Sequence, residues 1–332
     1  MFMLDRKSGA AGMMCDALVV GEYVERLERK LSELFGRKTV AMCSADAALH
    51  TALFLCGAGD GDYVFVPTFT FYSYITTVKN IGCVPVFIDC DPTTRCASAE
   101  ALEAAFVWAK LQNKLPKAVI IDNAFGSVAD FDVLVPLCKS YDAPVIELAC
   151  DALGGDYNGT PCGANGDYGV LCFGKRLGGG GGALVCGDDE RAAREFSRTV
   201  YTDGENHDYR LHNVVAALDL ALLGGAQKIT ARARNNLAAL CEKLDCVMPP
   251  TEGDAASFAL CRAAKKADKL SRGGFEVKTP PPVHTMPGYA GCPFFEHEPG
   301  FAVCKTFSDC CLVGLDISAV KRIKLGRELK RV

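Results

Sequence analysis

The feature that most constrains this chain is an alternation of short apolar runs with longer helical patterns, which starts at Thr39 and persists to Leu148. Thr39–Cys43, Tyr63–Val66, Val84–Ile88, Ala118–Asp122 and Val145–Leu148 read as strands. Ala47–Cys56, Phe71–Ile81, Ser98–Lys110 and Phe131–Tyr141 read as the helices between them. Ser44 or Asp46 caps the first of these helices. Before them, Val24, Leu27, Leu31 and Leu34 repeat at helical spacing and the pattern stops at Gly36, an amphipathic helix with a glycine terminus. Strands of this length separated by helices predict a mostly parallel sheet covered on both faces. Ligands in such sheets sit at the carboxyl ends of the strands, so the loops after Cys43, Val66, Asp122 and Leu148 are expected to converge on one site.

Further on, Asp167–Phe173 and Gly182–Cys186 read as two strands flanking a run of glycines. Arg191 to Leu244 reads as helical and Leu244–Glu252 as a connector. Ala256–Val332, with the turn Pro280-Pro281-Pro282, reads as a small α+β domain. A chain of 332 residues has room for two domains, and the expected division is 1–244 and 245–332. No internal repeat is visible. The formal net charge is −4 with no basic stripe, which gives no electrostatic reason to expect nucleic acid or an anionic membrane as a partner. No signal-peptide pattern and no run of about 18 apolar residues occurs, so a cytoplasmic protein is expected. The 18 cysteines include Cys56, Cys83, Cys138, Cys186 and Cys241 within apolar runs. They read as small buried hydrophobes of a reducing compartment. Cys310-Cys311 lack a second CxxC or histidine partner, so no metal site is expected.

Five segments, in this order, resemble the nucleotide-sugar aminotransferase family (the DegT/DnrJ/StrS group). They are GEYVERLERKLSELFG, DYVFVPTFTFYSYITTVKNIGCVPVFIDCDP, VIELACDALGGDYNGTPCGANGDYGVLCFGK, HDYRLHNVVAALDLALL and KTPPPVHTMPGY. The similarity runs from about Gly21 to Lys330. It implies the fold-type-I architecture of pyridoxal-phosphate (PLP) enzymes, and a homodimer whose active sites are shared between subunits. The Cys-Asp-Ala-Leu-Gly wording is similar to the branch of 3-dehydratases acting on 4-keto-6-deoxy sugars.

The resemblance also distributes roles. PLP chemistry needs a Schiff-base lysine, a carboxylate at the pyridine nitrogen, a ring stacker and a phosphate cradle. Phe71 matches the stacker, or is a core aromatic at a helix start. Asn123 stands near a position where the family often has histidine. Lys175 is the one lysine between Lys139 and Lys228 and matches the Schiff-base residue. Only Gly174 separates it from Phe173, a shorter spacing than the family's, and the bland alternative is an exposed loop lysine. The ring-nitrogen carboxylate should directly follow Glu147, where this chain has Leu148. Leucine cannot stabilise a pyridinium, and Glu147 faces the other way on a strand. Asp151 matches a position near the ring hydroxyl.

At the phosphate end Ser44-Ala45-Asp46 replaces the family's Ser-Gly-Thr at a helix N-terminus. Cys172 stands for a phosphate-binding serine, and Asp208 for an asparagine contributed by the neighbouring subunit. At ~5 Å and an effective dielectric constant of about 20, each acid adds roughly 3 kcal/mol of repulsion per unit of phosphate charge before screening. Tyr209, Arg210 and His284 are expected near substrate. Gly178 to Gly182 lacks a nucleotide-binding fingerprint and reads either as backbone passing close to the cofactor or as a flexible link.

Three functions follow. The first is amino transfer from a donor such as glutamate to a nucleotide-linked keto sugar, with PLP as cofactor. The second is a catalytically degenerate relative that keeps the dimeric scaffold as a binding or partner subunit. The third is a dehydratase-like enzyme.

Overall fold

The computed structural model describes residues 21–174, 179–198, 207–242, 246–248, 253–255, 258–262, 267–272, 275–278, 282–289, 291–298, 302–307 and 310–315. The chain opens with α1 (Glu22–Phe35), β1 (Thr39–Met42), α2 (Ala45–Leu55), β2 (Tyr63–Pro67), α3 (Tyr72–Asn80), β3 (Val84–Ile88), α4 (Ala99–Leu111), β4 (Ala118–Asp122), α5 (Phe131–Lys139) and β5 (Val145–Leu148). There follow the small hairpin β6 (Asp156–Tyr157) and β7 (Thr160–Pro161), then β8 (Tyr168–Cys172), β9 (Gly182–Val185), α6 (Glu190–Phe196), α7 (Asn213–Leu223) and α8 (Ala226–Cys241). The last elements are β10 (Cys246–Met248), β11 (Phe258–Cys261), α9 (Ala267–Arg272), β12 (Phe275–Lys278), β13 (Phe294–Phe295) and β14 (Cys311–Leu315).

The main sheet has eight strands in the order β1-β9-β8-β5-β4-β2-β3-β13. β9 pairs antiparallel with both neighbours, whereas β8, β5, β4, β2, β3 and β13 pair in parallel. Side-chain alternation divides its core into two layers. Val64, Val66, Ala118, Ile120, Ile146, Leu148 and Val170 face one layer with α2 and α3. Phe65, Val86, Val119, Ile121 and Val145 face the other with α4 and α5. A second sheet, β10-β11-β14-β12, is antiparallel, and β13 returns to the main sheet beside β3.

The alternation from Thr39 to Leu148 is present with element ends shifted by one or two residues. The helical reading of 191–244 needs correction. α6 ends at Phe196, the segment 207–212 is non-helical with Arg210 bridged to Met42, and α7 and α8 meet at a 60° bend. Gly224 and Gly225 stand at that bend, where two helix-destabilising residues are adjacent. The connector 244–252 also contains β10, a strand of three residues that length-based reading passes over. No single described helix is long and apolar enough to cross a membrane.

Candidate active site

From β2 the chain runs outward to β3, then crosses back to β4 on the other side of β2 and continues to β5 and β8. Connections therefore diverge at the carboxyl ends of β2 and β4, the place where such sheets open a crevice. The loop after β2 holds Thr68 to Phe71, and the loop after β4 holds Asn123 to Ser127. Phe71 terminates its loop as the N-cap of α3, with extended backbone, and its ring is half-buried. It packs against Phe125 at 4.9 Å between ring centroids, and Phe69 lies 5.1 Å from the same ring. Phe125 is buried and adopts φ 56. A bulky side chain held in the left-handed region stores strain of the kind concentrated at ligand clamps.

Beside the aromatic wall lies a polar cluster within the layer of Leu148. Asp122, 3% exposed, accepts a hydrogen bond from the Thr70 hydroxyl at 2.5 Å. Tyr74 of α3 hydrogen-bonds Cys150, and burial raises its phenol well above the ordinary range, with Cys150, Asp122 and Asp151 adding to the effect. Burial likewise pushes the Cys150 thiol up, with Cys172, Asp122 and Asp151 around it. Tyr74, Asp122, Cys150, Asp151 and Cys172 thus gather at one end of the sheet. Leu148 is fully buried among apolar side chains.

Glu147 points to the opposite layer, as alternation requires. It accepts hydrogen bonds from the Asn165 backbone at 2.8 Å and the Asn123 amide at 2.7 Å. Asn123 in turn accepts the Ala129 N–H at 3.1 Å. Burial raises the Glu147 carboxyl despite these partners. Asn123 is therefore committed to the fold rather than to the crevice.

At the end of β1, Ser44 caps α2 by accepting the Ala47 N–H at 3.0 Å. Ala45 is buried, while Asp46 is exposed in the first turn. Thr77 of α3 reaches Asp46 at 3.4 Å, and partial burial raises its carboxyl. Asp208 is held by Arg210, whose Nε donates at 2.7 Å, and this pair lowers the Asp208 carboxyl. Of the two acids expected at the phosphate end, Asp208 thus carries its own counter-charge. Arg210 also lines a hollow of about 470 Å³ with Glu28, Arg194 and Arg198. Tyr209 accepts the Cys43 N–H through its carbonyl, and its hydroxyl meets His50 Nδ1 at 2.7 Å. His284 pairs with Thr68 at the end of β2, and its ring stacks on Phe294 at 3.8 Å.

Lys175 lies outside the described residues. The glycine run after it, described from Gly179 to Gly182, is not a loose link. Asp219 of α7 is fully buried beneath it and accepts the Gly180 N–H at 3.2 Å. A Cβ on Gly179 would collide with that carboxylate. Gly181 takes φ +72, and its Cβ would lie 2.7 Å from the Met42 carbonyl oxygen. Asp122, Tyr74, Cys150 and Asp219 were not among the sequence candidates. An acid closing an otherwise apolar strand was the available signal for Asp122.

The fold and crevice define an α/β scaffold of the aminotransferase class. The chain is similar to the crystal structure of a DegT DnrJ EryC1 StrS aminotransferase from Brucella abortus, at TM-score 0.83 and 25% identity, covering 100% of this chain and 98% of that one. It shares its fold with S. venezuelae DesV at TM-score 0.81 and 23% identity, over 98% and 93% of the two chains. A model of the DegT/DnrJ/EryC1/StrS aminotransferase family matches residues 10–265, and the chain belongs to that family. Among curated relatives it is 39% identical to EpsN of Bacillus subtilis over 61% of this chain and 56% of that protein. It is 28% identical to GDP-perosamine synthase of Escherichia coli O157:H7 over 81% and 79% of the two. The match to EpsN thus spans little more than half of that relative's length.

Proposed function

We propose that this chain is a PLP-dependent aminotransferase of sugar biosynthesis, transferring an amino group from a donor such as glutamate to a nucleotide-linked keto sugar. The observation that carries the reading is the convergence of Phe71, Tyr74, Asp122, Cys150, Asp151 and Cys172 at the carboxyl ends of β2, β4, β5 and β8.

These residues suit the cofactor at its ring end. Phe71 offers a half-buried aromatic face beside the crevice, and Asp122 and Asp151 are buried acids close to it. Backbone at Gly181 and Gly182 approaches so closely to Met42 and Ala45 that a side chain there would fill the space. Around a bound ring, Phe71 would fix the plane and Asp151 would meet the ring hydroxyl. Ser44, Ala45 and Cys172 would face the phosphate, together with the α2 N-terminus. Lys175 would hold PLP covalently through its amine and, once released, would act as the general base that takes the proton from the amine-bearing carbon of the donor. PLP supplies an electron sink for carbanion charge. Tyr209, Arg210 and His284 are the side chains proposed to meet the substrates.

The leucine at 148 supports a second reading, a non-catalytic subunit retained for its scaffold. On either reading a homodimer is expected. Many described cysteines are buried and, among the described residues, form no disulfide, which suits a reducing cytoplasm. The deciding test is an absorbance titration of the purified chain with PLP. A near-visible band that is fixed to Lys175 by borohydride, located by peptide mass spectrometry and lost in Lys175→Ala is the expected result. No band at millimolar PLP would overturn the aminotransferase reading and leave the scaffold one.

A further inference from the structure

The family resemblance puts the ring-nitrogen carboxylate at position 148, and that position holds leucine. The sheet register places another acid next to it. Asp122 closes β4 and Leu148 closes β5, and the two are direct partners across the parallel pair. Direct partners on neighbouring parallel strands point to the same face, separated by about 4.8 Å. The alternation Ala118, Ile120, Asp122 and Ile146, Leu148 confirms the shared face, since the four apolar members all belong to one core layer. Asp122 is displaced from Leu148 toward β2, the strand whose following loop presents Phe71.

We infer that Asp122 replaces the residue expected at 148 and supplies the carboxylate that holds the pyridine nitrogen protonated. The inference rests on the PLP reading above. The acid stands on the adjacent strand, at the same level as the leucine. The Thr70 hydroxyl orients Asp122 through Oδ2, and a pyridinium N–H is a donor whose charge complements it. Leu148 then serves as the apolar floor beside the acid, which strengthens that interaction by excluding water. Glu147 is ruled out by its bonds on the opposite face. Asp151 lies beyond the end of β5, where the resemblance places the ring hydroxyl.

The test is the 15N shift of the ring nitrogen of isotopically labelled PLP bound to the full chain, with PLP affinity measured alongside by fluorescence. The wild type is expected in the pyridinium range. Asp122→Asn should move the shift to the neutral-pyridine range and weaken PLP by about tenfold or more. Asp122→Ser, which keeps a hydroxyl opposite Thr70, should do the same if the amide disturbs folding. Thr70→Val should leave the nitrogen protonated, and the exchange Asp122→Leu with Leu148→Asp should restore the pyridinium shift. A pyridinium shift that survives both Asp122 variants, or that is lost instead in Asp151→Asn, overturns the inference while PLP binding stands. A neutral nitrogen in the wild type overturns it too. Failure of the wild type to bind millimolar PLP overturns the cofactor reading and this inference with it.

Discussion

Glu28 and Arg194, 166 residues apart, close a bidentate ion pair, with guanidinium nitrogens 2.7 and 3.2 Å from the two carboxylate oxygens. Glu28 is 6% exposed and also accepts the Ala41 N–H at 2.9 Å, so one side chain ties α1 to β1 and α6. Removing Glu28 strips the Ala41 N–H of its acceptor, while the half-buried Arg194 keeps Glu190, 2.8 Å away, as its remaining carboxylate partner. Glu28→Ala should lower stability by about 1–3 kcal/mol in urea denaturation. Glu28→Gln, which keeps an acceptor for Ala41, should cost about half as much. Equal costs would mean that the ion pair contributes little beyond the backbone bond.

The glycine run makes a position-by-position prediction. Gly180→Ala meets only Val215 Cγ1 at 3.2 Å and should be nearly neutral. Gly181→Ala should cost about 3 kcal/mol, because left-handed backbone penalises a Cβ by roughly 1–2 kcal/mol and the new atom would sit 2.7 Å from the Met42 carbonyl oxygen. Gly36→Ala has φ +64 but open space around it and isolates the backbone penalty alone. Thermal unfolding of the three variants checks the order. A Gly181→Ala protein as stable as Gly36→Ala would show that the segment yields.

The parallel sheet was legible because each strand buries both faces and so reads as an unbroken apolar run, Val145–Leu148 being one. The helical region after Arg191 was misread because α7 and α8 are both helical in pattern and only two glycines mark their 60° bend. Among the candidate site residues, Phe71 and Asp151 were proposed through motif position. Asp122 was not, because strand register decides which side chains share a face, and register is a long-range property that local pattern does not encode. Asp219 escaped for a similar reason. Nothing within α7 announces that a glycine segment will lie across it.

His284 stands half-buried between Thr68 and Phe294, and burial lowers its pKa below the ordinary histidine value, with Asp89 opposing. A lowered folded value means that the unfolded chain takes up its proton first. The associated stability is therefore complete above the unfolded value, ~6.5, and is lost as pH falls through the folded one. NMR titration of the imidazole should give a midpoint below ~6.5. A midpoint at or above that value would mean that His284 is charged in the crevice near neutrality, and its proposed contact with substrate would then be that of a cation.

Asp219 carries the opposite sign. Burial pushes its carboxyl up to about 6, with the Gly180 N–H pulling the other way. Between the unfolded value near 3.8 and about 6 the native chain binds more proton than the unfolded one. Stability from this group is thus fully present below the unfolded value and is lost as pH rises through the folded value. At pH 7 the buried charge costs roughly 1–3 kcal/mol. Asp219→Asn keeps an oxygen for the Gly180 N–H but cannot ionise. The variant should match the wild type near pH 4 and exceed it at pH 7, the gap opening between those values in urea denaturation. A gap independent of pH, or a variant less stable at pH 7, would mean that the ionised carboxylate is itself stabilised beneath the glycine segment. In that case the segment leading back to Lys175 would depend on the Asp219 charge, and PLP affinity should fall in Asp219→Asn together with stability.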